Sequence, residues 1–248
     1  MDAEQLWQEV VAAADRQLGL VTAAQLGRLG LDAAALAELT GRMTLTRVDW
    51  DVFEVAGSRT SLRYAFPYAA WLELRPGTFA WERPGAGGAT TADAVVSHES
   101  AARVLGLHSP SVGDITFTAP APLPAPRGVR VVVAELRPDE VTVHEHLPVT
   151  TARRTILDLV RASTDHLELR AVISDAVRLD LVDLAGLHRD LAPLAGTYAF
   201  PGAGAEFVAW FMPALDADAL SPRNARALGT LLGEHVAPHG GQNPGLAD

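Results

Sequence analysis

The stretch from residue 19 to 57 constrains the fold most, because its hydrophobic period changes partway along: GLVTAAQLGRLGLDAAALAELTGRMTLTRVDWDVFEVAG. Apolar residues first recur at helical spacing and predict two short helices, one on each side of Gly30. Thr22 and Asp32 stand where each helix needs a side-chain oxygen for its first free amides. After Gly41 the pattern alternates and predicts a hairpin around residues 49–51. This order of elements is typical of a winged helix-turn-helix.

Several blocks in the same order carry a family resemblance: GLVTAAQL, LTRV, VFEVAG, YAAWLELRPGTFAWERP, VVSHESAARVLGL and LPVTTARRTILDL. They resemble the actinobacterial branch of the AbiEi-type antitoxins over residues 18–187. The resemblance implies a transcriptional autorepressor that binds inverted repeats in its own promoter. It also implies that the chain is the antitoxin of a type IV toxin–antitoxin pair. Its partner would be a nucleotidyltransferase-like toxin encoded next door.

The whole chain predicts an α+β protein in three parts. Residues 1–82 form the winged helix-turn-helix domain and the helix that follows it, which contains Pro67. Residues 92–196 form a mixed α/β antitoxin-like domain, after the glycine-rich stretch RPGAGGATT. Its strands are expected near residues 115–118, 129–136 and 141–143, the last with its exit at 147–149, and helices follow. Residues 197–248 form a helical tail whose end is expected to be disordered.

Composition bounds the class of protein. With 48% hydrophobic residues the chain is globular, and no apolar run reaches the ~18–20 residues of a membrane helix. The acidic, amphipathic start MDAEQLWQEVVAAAD lacks the pattern of a signal peptide. We therefore expect a cytoplasmic protein, a monomer or dimer, that does not bind membranes. There is no cysteine, so disulfides and thiolate sites are excluded.

The charge of the chain conflicts with simple DNA binding, which depends on neutralising phosphates. All 20 basic residues are arginines, but the formal net charge is −10. Residues 1–60 contain five arginines against nine acidic residues: Asp2, Glu4, Glu9, Asp15, Asp32, Glu38, Asp49, Asp51 and Glu54. The expected recognition helix starts Asp-Ala-Ala-Ala, and the hairpin tip is acidic. Members of the family usually carry arginines at both places.

The candidate DNA contacts are therefore few. They lie on the first helix of the motif, at the entry to the hairpin and after it: Thr22, Gln25, Arg28, Arg42, Thr44, Thr46, Arg47 and Arg59. Each also has a purely structural interpretation. Thr22 is placed to cap a helix, Gln25 can be solvated, and Arg47 can pair with Asp49 or Asp51.

Three other clusters invite a chemical interpretation. The run from Ser97 to Ser100 contains a serine beside His98, but adjacency alone does not form a nucleophile and base, and a capped helix start is favoured. His144 and His146 would share one face of a strand, yet a metal would need a third ligand. Arg153 and Arg154 open a helix that could bind phosphate, or they pair with nearby carboxylates such as Asp158. We predict no enzyme, metal or cofactor.

Two functions from different classes follow. The first is the DNA-binding autorepressor and antitoxin that the resemblance implies, with Arg28, Arg42 and Arg47 anchoring phosphates. The alternative is a protein-interaction module with a degenerate winged helix that no longer binds DNA. The acidic hairpin tip and the alanine-rich helix favour the alternative. An enzyme that uses His98 or the histidines of residues 144–146 is a third, less supported hypothesis.

Overall fold

The computed structural model describes residues 3–58, 62–84, 92–109 and 113–233. Helices and strands are mixed along the chain, which confirms the α+β class. The chain divides into two compact units, Met1–Thr164 and Asp165–Asp248. This division differs from the predicted boundaries at residues 82, 92 and 196, which stay predictions. The predicted disordered end, residues 238–248, lies outside the described residues.

The first unit opens with three helices and a three-stranded antiparallel sheet whose strand order is β1-β3-β2. The elements are α1 (Ala3–Asp15), β1 (Leu20–Thr22), α2 (Ala23–Leu29), α3 (Ala33–Gly41), β2 (Leu45–Asp49) and β3 (Val52–Val55). The predicted order of helix, turn, helix and hairpin agrees with this, and β1 is an additional strand. Gly30 ends α2 with a φ of 107°, a left-handed conformation that glycine adopts without steric cost.

One small hydrophobic core holds these elements together. It joins α1 to the sheet and to the apolar sides of the two short helices, through Val10, Ala14, Val21, Leu26, Leu31, Leu45, Phe53 and Val55. In contrast, α3 buries none of its own residues fully. Leu36 and Leu39 pack against the core while remaining partly exposed. The second short helix therefore lies at the surface of this unit.

Next come α4 (Leu62–Glu73) and a single 3-10 turn, Ala80–Glu82. Pro67 lies inside α4 and not at its start, so the carbonyl four residues earlier lacks its helical donor. Tyr68, Trp71 and Leu72 of α4 are completely or almost completely buried. This burial explains how the helix is stabilised despite its proline, since packing outweighs intrinsic helix propensity.

A five-stranded mixed sheet completes the first unit, in the order β6-β5-β4-β8-β7. Its strands are β4 (Val95–Val96), β5 (Ile115–Ala119), β6 (Val129–Val133), β7 (Val141–His144) and β8 (Leu147–Thr150). Strand β5 runs parallel to β6, and β4 runs parallel to β8; the other pairs are antiparallel. Helices α5 (His98–Leu105) and α6 (Ala152–Arg161) pack against each other beside it. The three strands expected from alternation are confirmed as β5, β6 and β7, although β6 is shorter than predicted. The predicted exit at residues 147–149 is itself a strand, β8.

The second unit is helical. It contains α7 (His166–Arg178), α8 (Leu184–Leu191), α9 (Ala195–Tyr198), α10 (Gly204–Phe211) and α11 (Pro222–Leu231). Phe207 and Phe211 are completely buried, with ring centroids 5.0 Å apart. The buried amide of Asn224 accepts from the backbone of Leu184 at 2.9 Å. It also donates to the Val182 carbonyl at 3.0 Å, so α11 is joined to the start of α8. Among the described residues, no helix is long and apolar enough to cross a membrane.

Candidate nucleic-acid interface

Thr22 and Gln25 begin α2, and both are completely buried. The Thr22 hydroxyl accepts from the Gln25 backbone at 3.0 Å, and the Gln25 side-chain oxygen accepts from the Thr22 backbone at 3.0 Å. This reciprocal capping box satisfies two amides that the helix leaves free. Gln25 also donates to the Thr78 carbonyl at 2.8 Å and exchanges hydrogen bonds with buried Gln17. Both side chains therefore make hydrogen bonds within the chain and are not exposed to a ligand.

Arg28, on the same helix, is exposed but already bound within the chain. Its guanidinium makes two hydrogen bonds to the Glu82 carboxylate, at 2.7 and 2.9 Å, and lies 4.7 Å from the centre of the Phe79 ring. The hydrogen bond from Arg28 is the main reason why the pKa of Glu82 falls to about 2. A bidentate pair of this kind fixes both side chains. Arg28 therefore joins α2 to the 3-10 turn at Ala80–Glu82.

Helix α3 presents a surface of small and acidic side chains. Asp32 caps it, accepting from the Ala35 backbone at 2.8 Å. The exposed positions of the helix that follow are Ala33, Ala34, Ala37, Glu38 and Gly41. None of these side chains donates a hydrogen bond, whereas reading base edges in the major groove depends mainly on arginine, lysine and amide side chains. The geometry thus agrees with the sequence: α3 is accessible but carries little chemistry for reading bases.

The start of the hairpin carries the remaining candidates. Arg42 pairs with Glu38 at 2.7 Å, and Arg47 pairs with Asp51 at 2.8 Å while also donating to the Trp50 carbonyl. The two arginine side chains are 71% and 58% exposed. Such pairs contribute only about 0–1 kcal/mol, because water competes for both partners. Arg42 and Arg47 are thus available to another anion at small cost.

Two threonines lie beside these arginines. Thr44 is half-buried just before β2, and Thr46 is exposed on the strand. Hydroxyls in such positions are suited to phosphate oxygens. Arg59 lies outside the described residues. Of the eight predicted contacts, the structure brings Arg42, Thr44, Thr46 and Arg47 together on one exposed segment, from the end of α3 into β2.

The hairpin tip, residues 49–51, contacts a residue that sequence reasoning missed. Arg127 lies in the loop before β6, and its guanidinium donates to the Asp49 carboxylate at 2.8 Å. The indole nitrogen of Trp50 donates to the Arg127 carbonyl at 3.0 Å. The two partners are 77 and 78 residues apart in the chain. The only sequence signal was a tryptophan at an otherwise polar turn, which does not indicate its partner.

The run from Ser97 to Ser100 is a buried structural element. Ser97 occupies the N-cap position of α5, but its side chain makes no capping hydrogen bond, contrary to the prediction. Its hydroxyl lies 3.0 Å from Nδ1 of His98, and the Ser100 hydroxyl accepts from the Thr116 backbone at 3.0 Å. Burial is the largest cause of the lowered pKa of His98, opposed mainly by the carboxylate of Asp158. The Ser100 hydroxyl therefore joins α5 to β5, whereas the Ser97 hydroxyl contacts the imidazole next to it in the chain.

Arg154, at the start of α6, is paired with acidic residues. It donates to Asp158 at 2.8 Å and to Glu140 at 3.0 Å, and its side chain is only 12% exposed. The nearby hydroxyls of Thr150 and Thr155 are completely buried and lie 2.7 Å apart. These contacts favour the carboxylate-pairing interpretation over phosphate binding at this helix start.

His144 ends β7, and Glu145 and His146 form the turn into β8. Both turn residues are left-handed, with φ of 46° and 64°, which suits a tight hairpin turn. Across the described ranges, no group of three histidine, aspartate, glutamate or cysteine side chains is arranged to hold a metal ion. The geometry gives this histidine cluster no third ligand there.

Comparisons with known proteins give little further information. The chain matches no family model and no curated protein. Among solved structures, it is similar to the crystal structure of RV2827C protein from Mycobacterium tuberculosis, with 19% sequence identity and a TM-score of 0.34. That similarity covers 93% of this chain and 77% of the other. A likeness at this TM-score supports no argument about fold or function.

Proposed function

We propose that this chain is a DNA-binding autorepressor and the antitoxin of a type IV toxin–antitoxin pair, of the AbiEi type. In this proposal residues 19–57 act as a winged helix-turn-helix on inverted repeats of the promoter, in the cytoplasm. The rest of the chain restrains a nucleotidyltransferase-like toxin. The observation that carries the proposal is the exposed segment from α3 into the β2–β3 hairpin, where Arg42 and Arg47 lie beside Thr44 and Thr46. The resemblance of the sequence blocks supplies the antitoxin role.

Phosphate anchoring is the mechanism that these residues support. Arg42 and Arg47 would exchange the carboxylates of Glu38 and Asp51 for phosphate oxygens, while Thr44 and Thr46 donate neutral hydrogen bonds. The exchange is inexpensive because both ion pairs are exposed. Arg28, which was predicted to anchor phosphate, is left out of this set because Glu82 holds it at two nitrogens.

The acidic background sets the strength of binding. A net charge of −10 repels the duplex at long range, so binding should be modest and should weaken steeply with salt. Two copies on an inverted repeat would double the number of phosphate contacts. The proposal therefore requires either a dimer or cooperative binding of two monomers.

Fluorescence anisotropy tests the repressor half. The chain is titrated onto DNA from upstream of its own gene and onto a scrambled duplex of the same composition, at several salt concentrations. We expect tighter binding to the upstream DNA, and weaker binding by Arg42→Ala and by Arg47→Ala. Arg178→Ala, which removes an exposed, paired arginine from the second unit, is the control that keeps the wild-type affinity. Equal and negligible binding to both duplexes would exclude autonomous repression.

One observation favours the alternative function, an interaction module without DNA binding. The exposed surface of α3 and its cap carries alanines, Gly41 and the carboxylates of Asp32 and Glu38, so it offers no cation to a phosphate backbone. Ala34→Arg separates the two functions. If α3 enters a groove of DNA, the added cation raises DNA affinity. If α3 packs against the neighbouring toxin, the same change breaks that complex in size-exclusion chromatography.

A further inference from the structure

The contact between the hairpin tip and the loop before β6 has two separate parts. The Trp50 indole holds the main chain of Arg127, and the Asp49 carboxylate binds its side chain. Trp50 itself is left-handed, with φ of 44°, a conformation that costs a tryptophan free energy and persists only where contacts enforce it. The tip is therefore shaped to present its indole to this loop.

The main chain at Arg127 is fixed independently of its side chain. The Val129 amide donates to the Pro126 carbonyl at 3.2 Å, which closes a tight turn, and Gly128 in that turn has φ of 72°. The Arg127 side chain, in contrast, is 82% exposed, and one terminal nitrogen of its guanidinium donates to Asp49. If the side chain leaves Asp49 for another anion, the Trp50 hydrogen bond still keeps Arg127 beside the tip.

The charges around the tip explain why a basic residue is needed there. Asp49 and Asp51 lie at the tip, and Glu73 is close enough for Asp51 to help raise the pKa of its carboxyl, although burial is the larger cause. Arg47 pairs with Asp51, and Arg127 pairs with Asp49. Without Arg127 the carboxyl groups of the tip keep one arginine between them, and their larger negative charge repels a phosphate backbone.

We infer that Arg127 is a phosphate-anchoring residue, so the nucleic-acid surface combines the hairpin of residues 45–55 with the loop before β6. This inference rests on the proposed function and names a residue of the same interface. The acidic residues of the hairpin tip, which make DNA binding less favourable, then have a role: the Asp49 carboxylate positions Arg127, which is distant in sequence. Trp50 is a positioning residue that acts through Arg127.

The test compares two single variants that remove the same charge. Arg127→Ala removes the proposed contact, and Arg137→Ala removes another exposed arginine, which pairs with Asp139 at 3.1 Å instead of with the tip. Both are titrated onto the upstream duplex. For each bound copy, we expect Arg127→Ala to lose roughly tenfold in affinity at low salt, with a log Kd against log salt slope shallower by about one. Arg137→Ala should match the wild type, and Arg127→Lys should recover most of the lost affinity.

Trp50→Phe tests the positioning role. Trp50→Phe removes the indole N–H together with part of the ring; it should weaken binding and make the salt slope shallower, while the melting temperature of this half-buried position stays near that of the wild type. A merely structural role would lower the melting temperature without changing the slope.

Equal affinities for Arg127→Ala and Arg137→Ala, with sequence-specific binding by the wild type, would overturn this inference and leave the proposed function intact. Tighter binding by Arg127→Ala would also overturn it, because the pair would then restrain the hairpin. No specific binding by the wild type would overturn both.

Discussion

Arg83 and Arg47 each bind an aspartate, but one pair is buried and the other is exposed. The Arg83 side chain is completely buried, donates to Asp93 at 2.9 Å and lies 3.6 Å from the centre of the Trp71 ring. It also donates to the Trp71 carbonyl. Arg47 is 58% exposed, and its partner Asp51 is 65% exposed. The same residue types thus occupy two very different environments in one compact unit.

The difference separates arginines that stabilise the fold from arginines that are available to a ligand. Burial lowers the pKa of Arg83, and the nearby Asp93 carboxylate opposes that shift. Removing one member of such a pair leaves a buried charge without compensation. Removing an exposed arginine breaks only a contact for which water already competes. In a chain with 20 arginines and no lysine, burial therefore indicates which of them can bind phosphate.

The largest effect is expected at the buried pair. Arg83→Met should lower the free energy of unfolding by about 3–5 kcal/mol, since Asp93 would stay buried with less compensation. Arg75, half-exposed and 2.6 Å from Asp93, can supply part of the lost charge. Urea denaturation measures the change. Arg75→Met is the matched control and should cost much less; an equal loss in both variants would contradict the comparison.

Removing the buried hydrogen bonds of the Gln25 side chain should have the next largest effect on the free energy of unfolding. Gln25→Ala removes the hydrogen bonds to Thr22, Thr78 and Gln17 and should cost about 1–3 kcal/mol, because buried polar partners are left unsatisfied. The control is Gln8→Ala, which removes one exposed hydrogen bond to Glu4 and should cost under about 0.5 kcal/mol. Similar melting temperatures for the two variants would show that these buried hydrogen bonds contribute little.

The buried His98 should make the stability of the fold depend on pH, which an exposed group with an ordinary pKa would not do. Its pKa in the folded chain is lowered by burial, so the unfolded chain binds the proton more readily. The neutral imidazole therefore stabilises the fold above the unfolded pKa of about 6.5. This stabilisation is lost as the pH falls below that value, by at most about 1.4 kcal/mol per pH unit. His98→Asn, which tolerates the left-handed φ of 54°, should reduce this dependence between pH 7 and 5. Thermal melts across that range measure it, and an unchanged slope would count against a buried neutral imidazole.

The smallest effect on stability is expected at the exposed pairs. Arg42→Ala and Arg47→Ala should each change the free energy of unfolding by no more than about 1 kcal/mol. Urea titrations of both variants beside the wild type check this. A loss as large as that of Arg83→Met would mean that these arginines are structural after all.

Local patterns allowed the elements of residues 19–57 to be predicted. Gly30 and Gly41 mark where the helices end, and the change from helical to alternating spacing indicates the hairpin. The cap at Thr22 was predicted for the same reason, since capping is a local interaction. Strands β5, β6 and β7 followed from alternation as well. These features depend on neighbours a few residues away.

The candidate site was harder to predict because its contacts are distant in sequence. Gln25 was expected in solvent, but its amide binds the Thr78 carbonyl 53 residues later. Arg28 was expected to face DNA, but it pairs with Glu82, 54 residues later. The loop PAPLPAPRG gave no sign that Arg127 lies beside the hairpin tip. Each of these positions depends on packing between elements, which periodicity and propensity do not determine.

The salt dependence of DNA binding by an Arg42→Ala, Arg47→Ala double variant tests the central claim most directly. The claim is that these exposed arginines bind phosphate while contributing little to the fold. It predicts a log Kd against log salt slope shallower than that of the wild type by about two for each bound copy, because each copy loses two phosphate contacts. An unchanged slope and affinity on the upstream duplex would contradict it.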